Sequence, residues 1–307
     1  MSGPRPDVAN GRGQGWAAWG VRRGDIILSL QGGLGNQLFQ WAFAQALISE
    51  GRTVWFDRVR CRGDRPYALA GLVPRSALLD PLRGAALAAA ERVGLIHDDS
   101  ALRLVKQRRS GYDPAVRRGL DGTAYLRGYF QSPMYFPAVA DDVRRRILAH
   151  LDTLLLPAGS RFAEELRRDP GVVAVHVRRG DYLTDPAAAA RHGVLDRGYY
   201  DRALSSMADL GYTRRVWFSD DPEWVRTHLA APHDRICAPG LTSADGGEIA
   251  LMAACGARIV ANSSFSWWGG FLGRPSTPTR PVVAPVVWFA GGHSDARDLI
   301  PDGWIRV

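Results

Sequence analysis

The run His176-Val177-Arg178-Arg179-Gly180-Asp181-Tyr182 sets a histidine, two arginines and an aspartate directly after a continuous apolar stretch, Val172 to Val175. An arginine fork matches two oxygens of a phosphate or carboxylate at once, and a nearby aspartate supplies an internal counter-charge. The cluster therefore reads as an anion clamp at the end of a strand. Alternation along that strand puts His176 and Arg178 on one side and Arg179 on the other. Arg178 is thus assigned to the ligand and Arg179 to a structural ion pair. Asp181 has two readings. It is either the base that takes a proton from an attacking hydroxyl, or the brace of one of the arginines.

Four further clusters could share that chemistry. The glycine turn Gly32-Gly33-Leu34-Gly35-Asn36-Gln37 is either a tight strand-to-helix connection or a place where backbone approaches a phosphate. Gly33, Asn36 and Gln37 are its candidate cleft residues. No Gly-Lys-Ser/Thr follows and G-x-G-x-x-G does not fit, so neither a triphosphate loop nor a dinucleotide fingerprint is present. Phe218-Ser219-Asp220-Asp221-Pro222 offers an aspartate that caps the next helix, orients an arginine or contacts a nucleotide, with Asp221 the candidate. Glu248 opens a helix, where a carboxylate relieves the dipole or accepts hydrogen bonds from a guanine edge. Asn262-Ser263-Ser264-Phe265-Ser266-Trp267-Trp268-Gly269 combines small hydroxyls at a helix start, a phosphate cradle, with aromatics that could wall a base or sugar.

Apart from Glu248, each of these clusters sits just past a predicted strand. Strands are expected at Ile26 to Leu30, Thr53 to Asp57, Ala124 to Phe130, Val172 to Val175, Arg215 to Phe218, Arg258 to Ala261 and Val282 to Pro285. Helices are expected after the glycine turn, over Asp141 to Leu151, Tyr199 to Leu210, Gly247 to Cys255, and from Ser266. From Pro66 to about Arg118 the chain reads as helical and alanine-rich, without a clear order of pieces. Strand-turn-helix repetition of this kind makes parallel sheets, whose ligands bind beyond the carboxyl ends of the strands. The fold class is therefore α/β, in two units. Residues 1–24 are expected to form a flexible Gly-, Pro- and Arg-rich tail, with 25–158 and 159–307 as the two α/β units. Pro157-Ala158-Gly159 is the expected linker.

At 307 residues, 46% hydrophobic and 23% charged, the chain is a globular protein. Its net charge of +8 is carried almost wholly by arginine, Lys106 being the single lysine. That uniformity reads as a general surface bias; no basic tail or helix singles out nucleic acid as a partner. Three scattered cysteines fit a reducing compartment, and no signal peptide or membrane span is evident. The expectation is a cytoplasmic protein that touches the inner face of a membrane at most peripherally. No Asp-x-Asp or metal-spaced His/Cys set occurs, so no metal cofactor is expected. No G-x-S-x-G elbow points to a hydrolase.

Taken together, the motifs resemble glycosyltransferase family 11, the α-1,2-fucosyltransferases. The matching segments are Gly32 to Gln40, Gly128 to Ser132, His176 to Tyr182, Tyr199-Tyr200, Phe218 to Asp221 and Asn262 to Gly269, in the family's order. The resemblance implies a GT-B-like fold, two Rossmann-type domains facing a central cleft, with 25–158 on the acceptor side and 159–307 binding GDP-fucose. It implies inverting, metal-independent transfer of fucose from GDP-fucose to a galactose-containing oligosaccharide or glycolipid. On this chain Arg178 would neutralise the leaving diphosphate, and His176 and Glu248 would contact the nucleotide. Ser264, Phe265 and Ser266 would hold phosphate and base, and Asn36 would line the cleft. The family often has alanine where Gly270 stands. Transfer from another GDP-sugar, and an inactive glycan-binding module, are the alternative readings.

Overall fold

The computed structural model describes residues 21–273, 280–290 and 297–307. Among these, ten strands form two sheets in which every pairing is parallel. The first sheet has the order β2-β1-β4-β3, from β1 (Ile26–Ser29), β2 (Val54–Asp57), β3 (Arg103–Lys106) and β4 (Ala124–Arg127). Its helices are α1 (Leu34–Ser49), α2 (Pro81–Arg92) and α3 (Pro114–Arg118). Two helices, α4 (Ala140–Asp152) and α5 (Pro157–Arg168), lead to the second half.

The second sheet runs β10-β9-β8-β5-β6-β7. Its strands are β5 (Val172–Val177), β6 (Arg214–Ser219), β7 (Arg235–Ile236), β8 (Ala257–Ile259), β9 (Val282–Ala284) and β10 (Ile305–Arg306). The helices between them are α6 (Gly180–Thr184), α7 (Pro186–His192), α8 (Arg197–Asp209), α9 (Pro222–His228), α10 (Gly246–Ala254) and α11 (Ser264–Leu272). The expected plan of two parallel α/β units is therefore the observed one.

Period-two alternation explains how each sheet is buried on both faces. In β5, Val173, Val175 and Val177 pack into one apolar cluster with Trp217 and Ile259, whereas Ala174 packs on the other side with Val216 and Val260. In β1, Ile27 joins Tyr125 and Leu104 on one face, and Ile26 and Leu28 lie on the other. The inner clusters of the two sheets are one continuous core, which includes α1, α4, α10 and α11. Phe39 of α1 lies 4.4 Å from Trp267 and 4.9 Å from Trp268 of α11, ring centre to ring centre.

Three sequence expectations need correction. The stretch Pro66 to Arg118 contains strand β3, whose Leu104 and Val105 are buried while Arg103 and Lys106 carry the edge; four residues are too few for periodicity to register against alanine-rich surroundings. Pro157-Ala158-Gly159 is no linker but the first turn of α5, where Pro157 has the preset φ of a first helical residue. Gly159 is pressed against the Leu241 backbone, where a β-carbon would come 2.0 Å from the carbonyl oxygen. The end of the expected tail is held in place, since Val21 is buried and the Gly24 amide donates to Thr123 Oγ1 at 2.8 Å. The rest of that tail, residues 1–20 with Trp16 and Trp19, lies outside the described residues. Among the described residues no helix is long and apolar enough to cross a membrane.

Candidate active site

Three adjacent strands, β6, β5 and β8, end at one edge, and their carboxyl ends carry three of the sequence clusters. Register pairs His176 with Phe218 and Val177 with Ser219, so the arginine run and the aspartate pair emerge side by side. Arg178 is held from two directions. Its Nε and Nη2 donate to Asp181 Oδ1 at 3.0 and 2.7 Å, and its Nη1 lies 3.0 Å from Asp220 Oδ2. A long side chain fixed by two carboxylates loses little further freedom when it meets an anion.

Asp220, rather than Asp221, is the aspartate that reaches Arg178. It also accepts from the backbone amides of Arg179 and Gly180 at 2.9 and 3.0 Å, which ties the start of α6 to β6. Asp221, predicted as a donor contact, caps α9 through Trp224 N and takes Arg179 Nε at 3.2 Å. The Arg179 guanidinium lies 3.8 Å over the Trp224 ring. Both groups are thus engaged in structural contacts.

Asp181 has both oxygens occupied. Oδ1 serves Arg178, and Oδ2 takes Arg65 Nη2 at 2.5 Å, from a loop of the first half. Burial by itself would raise this carboxyl, but Arg178 and Arg65 outweigh it and hold the pKa below the usual carboxylate value. Of the two readings, the geometry favours the brace. Arg65 itself had no sequence signal, because only the folded chain brings it 116 positions along to Asp181.

His176 is buried, its Nδ1 has no hydrogen-bond partner among the described residues, and its ring lies 5.8 Å from Phe265. Burial, with Arg178 adding to it, pushes the imidazole down to about 3, so the ring is neutral and cannot act as a phosphate cation. Glu248, in the first turn of α10, is pushed up to about 7 by burial and by the neighbouring charges of Asp245 and Asp220.

At the start of α11, Ser263 takes the cap position without a side-chain cap bond. A helix start in that state offers amides and a positive dipole end to an anion. Ser264 and Phe265 are half-buried there, but Ser266 is fully buried, its hydroxyl accepting from Ala261 N at 2.8 Å. Ser266 therefore braces the strand-to-helix turn instead of presenting its hydroxyl. Asn262 is buried and donates to the carbonyls of His192 and Gly193 at 2.7 and 3.2 Å, anchoring the end of α7.

The glycine turn faces this edge from the other half. A β-carbon on Gly35 would lie 2.5 Å from Phe265 N, and Trp268 Nε1 donates to Gly35 O at 2.8 Å. The glycine serves the close approach of α1 to α11. Gln37, predicted as a cleft amide, is fully buried; it donates to Gly32 O and Pro66 O and accepts from Ala68 N. It locks the turn to the following loop. Asn36 remains half-buried, accepting from Gln131 Nε2 at 2.6 Å, and Gly33 lies beside Arg65. Among the described residues no group of three or more His, Cys, Asp or Glu side chains could hold a metal ion.

The sequence profile of glycosyl transferase family 11 matches residues 106–296, which include the arginine run, the aspartate pair and the serine-aromatic turn. The chain belongs to glycosyl transferase family 11. It is 35% identical over 136 residues to the O-antigen biosynthesis glycosyltransferase WbnK of Escherichia coli, a match spanning 44% of either chain. It is 26% identical to an alpha-1,2-colitosyltransferase of Escherichia coli over 92% of this chain and 98% of that one. It is 25% identical to the galactoside 2-alpha-L-fucosyltransferase SEC1 of Bos taurus, over 83% of this chain and 66% of the relative.

Proposed function

We propose that this glycosyltransferase moves L-fucose from GDP-β-L-fucose to a hydroxyl of an acceptor glycan, the 2-hydroxyl of a terminal galactose, with inversion and without a metal ion. The observation that carries the reading is Arg178, fixed between Asp181 and Asp220 at the strand edge where α11 begins. The names of the relatives, a galactoside fucosyltransferase and an alpha-1,2-colitosyltransferase, support a deoxysugar donor and a galactoside acceptor.

The acceptor hydroxyl attacks the anomeric carbon as its bond to the diphosphate lengthens; GDP leaves with the growing negative charge and the hydroxyl proton is released to solvent. In this reading Arg178 and the first-turn amides of α11, Ser264 and Phe265, stabilise that charge in the way an oxyanion site does. His176, neutral and unpartnered at Nδ1, offers one uncharged polar contact deeper in the same edge. Glu248 accepts the two N–H donors of the guanine edge. Asp181 positions Arg178 and, through Arg65, ties the two halves across the cleft.

The test is incubation with GDP-fucose and a panel of galactose-terminated oligosaccharides, with linkage analysis of any product. An α-1,2-fucosylated galactoside is expected; failure to turn over GDP-fucose with or without acceptor would overturn the reading. A second donor, GDP-activated colitose, is favoured by the relative that matches along almost its full length. Comparing kcat/KM for the two donors decides between them.

A further inference from the structure

A second polar cavity opens on the first half of the molecule. It encloses about 270 Å³, and its lining includes Lys106, Arg108, Arg109, Arg127 and Arg191 but no acidic residue. Strands β3 and β4 end here, with Lys106 and Arg127 at their last positions and Arg108-Arg109 in the loop beyond. Arg191 comes from α7 of the second half, and its guanidinium stands 5.7 Å over the ring of Tyr129. The cavity therefore spans the cleft.

The charge balance inside it is positive. Lys106 and Arg127 share one buried carboxylate, Glu91, which also pairs with Arg60. Glu91 is held below the usual carboxylate value, since those three cations outweigh the raising effect of its burial. One anion thus serves three cations. Arg108 meets Asp98 at 3.0 Å, but both are well exposed, and such pairs neutralise little. Among the described residues no acid pairs with Arg109 or Arg191.

Two contacts connect this cavity to the reaction edge. Gln131, in its lining, donates to Asn36 of the glycine turn at 2.6 Å. His192, the residue after Arg191, stacks on Tyr182 at 4.9 Å, and the Tyr182 ring lies 5.8 Å from the Arg178 guanidinium. The cavity and the reaction edge are thus neighbours along the cleft.

We propose that the cavity is an acceptor subsite for a fixed negative charge, a carboxylate or a phosphate carried on the sugar next to the one that is fucosylated. The proposal rests on the transferase reading above. Arg109 and Arg191 supply the uncompensated charge, and Lys106 and Arg127 line the floor.

The experiment is titration of the 307-residue protein, saturated with GDP, with three disaccharides: β-galactosyl-glucuronic acid, β-galactosyl-glucose and β-galactosyl-glucose 6-phosphate. The charged probes are expected to bind about tenfold or more tightly than the neutral one, the scale of one or two charge-assisted hydrogen bonds. The gap should shrink as salt is raised. Which charged probe binds more tightly identifies a uronic acid or a sugar phosphate as the natural source. In the double variant R109Q/R191Q, both at exposed positions, the gap should fall to about twofold. Equal affinity for charged and neutral probes, no binding of either charged probe, or an undiminished gap in the double variant each overturns the subsite. GDP binding is measured first, in the titration that brings the protein to saturation. Its absence would count against the transferase reading, whereas GDP binding without charge discrimination counts against the subsite alone.

Discussion

Single residues divide the site into groups proposed to meet the donor and groups that hold them. Arg178→Ala should lower kcat by about 10²-fold or more, the scale of losing an oxyanion donor, in a protein whose circular dichroism is unchanged. Near-normal turnover would remove Arg178 from the donor site. Asp181→Asn tests brace against base. A brace variant loses rate but keeps the acidic limb of its pH–rate profile, whereas loss of that limb would restore Asp181 as the base. Glu248 makes a pH prediction. Its folded pKa, about 7, lies above the ordinary 4.5, so the folded chain holds this proton more tightly than the unfolded one. The stability it contributes is fully present below about 4.5 and is lost as pH rises through about 7. The melting temperature of the nucleotide-free protein should accordingly fall less between pH 5 and 8 in Glu248→Gln than in the parent. The donor KM of the parent should fall over the same range, because only the carboxylate accepts two guanine N–H groups; an unchanged KM would sink that contact. Sequence spacing names these residues but does not choose between Asp220 and Asp221. The choice depends on where β6 ends and which aspartate is used as a helix cap.

At the scale of elements, the decisive contact is between the starts of α1 and α11. Two helix ends can meet this closely only if one of them has no side chain at the crossing, and Gly35 is that position. Gly35→Ala should destabilise the protein by about 1–3 kcal/mol, the usual cost of overpacking, and lower activity together with stability. Denaturant unfolding measures the first; a variant as stable as the parent would show that the crossing relaxes freely. The glycine turn is legible in sequence as a strand-to-helix connection, because three glycines and a following periodic helix are local signals. Its service to a helix 229 positions away is not legible from any spacing. The same limit applies to Ser266 and Gln37, polar residues beside a predicted site whose hydrogen bonds are already filled by backbone.

The whole molecule behaves as two sheets on one core. Because the inner faces of both sheets pack into a single apolar cluster through α1, α4, α10 and α11, the two halves should unfold together. Calorimetry should show one transition, and GDP at about a hundred times its dissociation constant should raise the stability of the entire chain by about 2.7 kcal/mol. Two resolved transitions, with GDP shifting only one, would contradict the shared core.

The α/β class, the parallel strands and the clustering of polar motifs at strand ends can be read from local patterns, since alternation of two and periodicity of 3.6 are set by neighbouring residues. The six motifs from Gly32 to Gly269 likewise suffice for the family. Which carboxylate faces Arg178, how Arg65 joins Asp181 across the cleft, and how five cations surround one cavity are settled only by packing. The physical reason is that ion pairs and close approaches depend on distances between segments far apart in the chain, and residue order carries no direct measure of those distances.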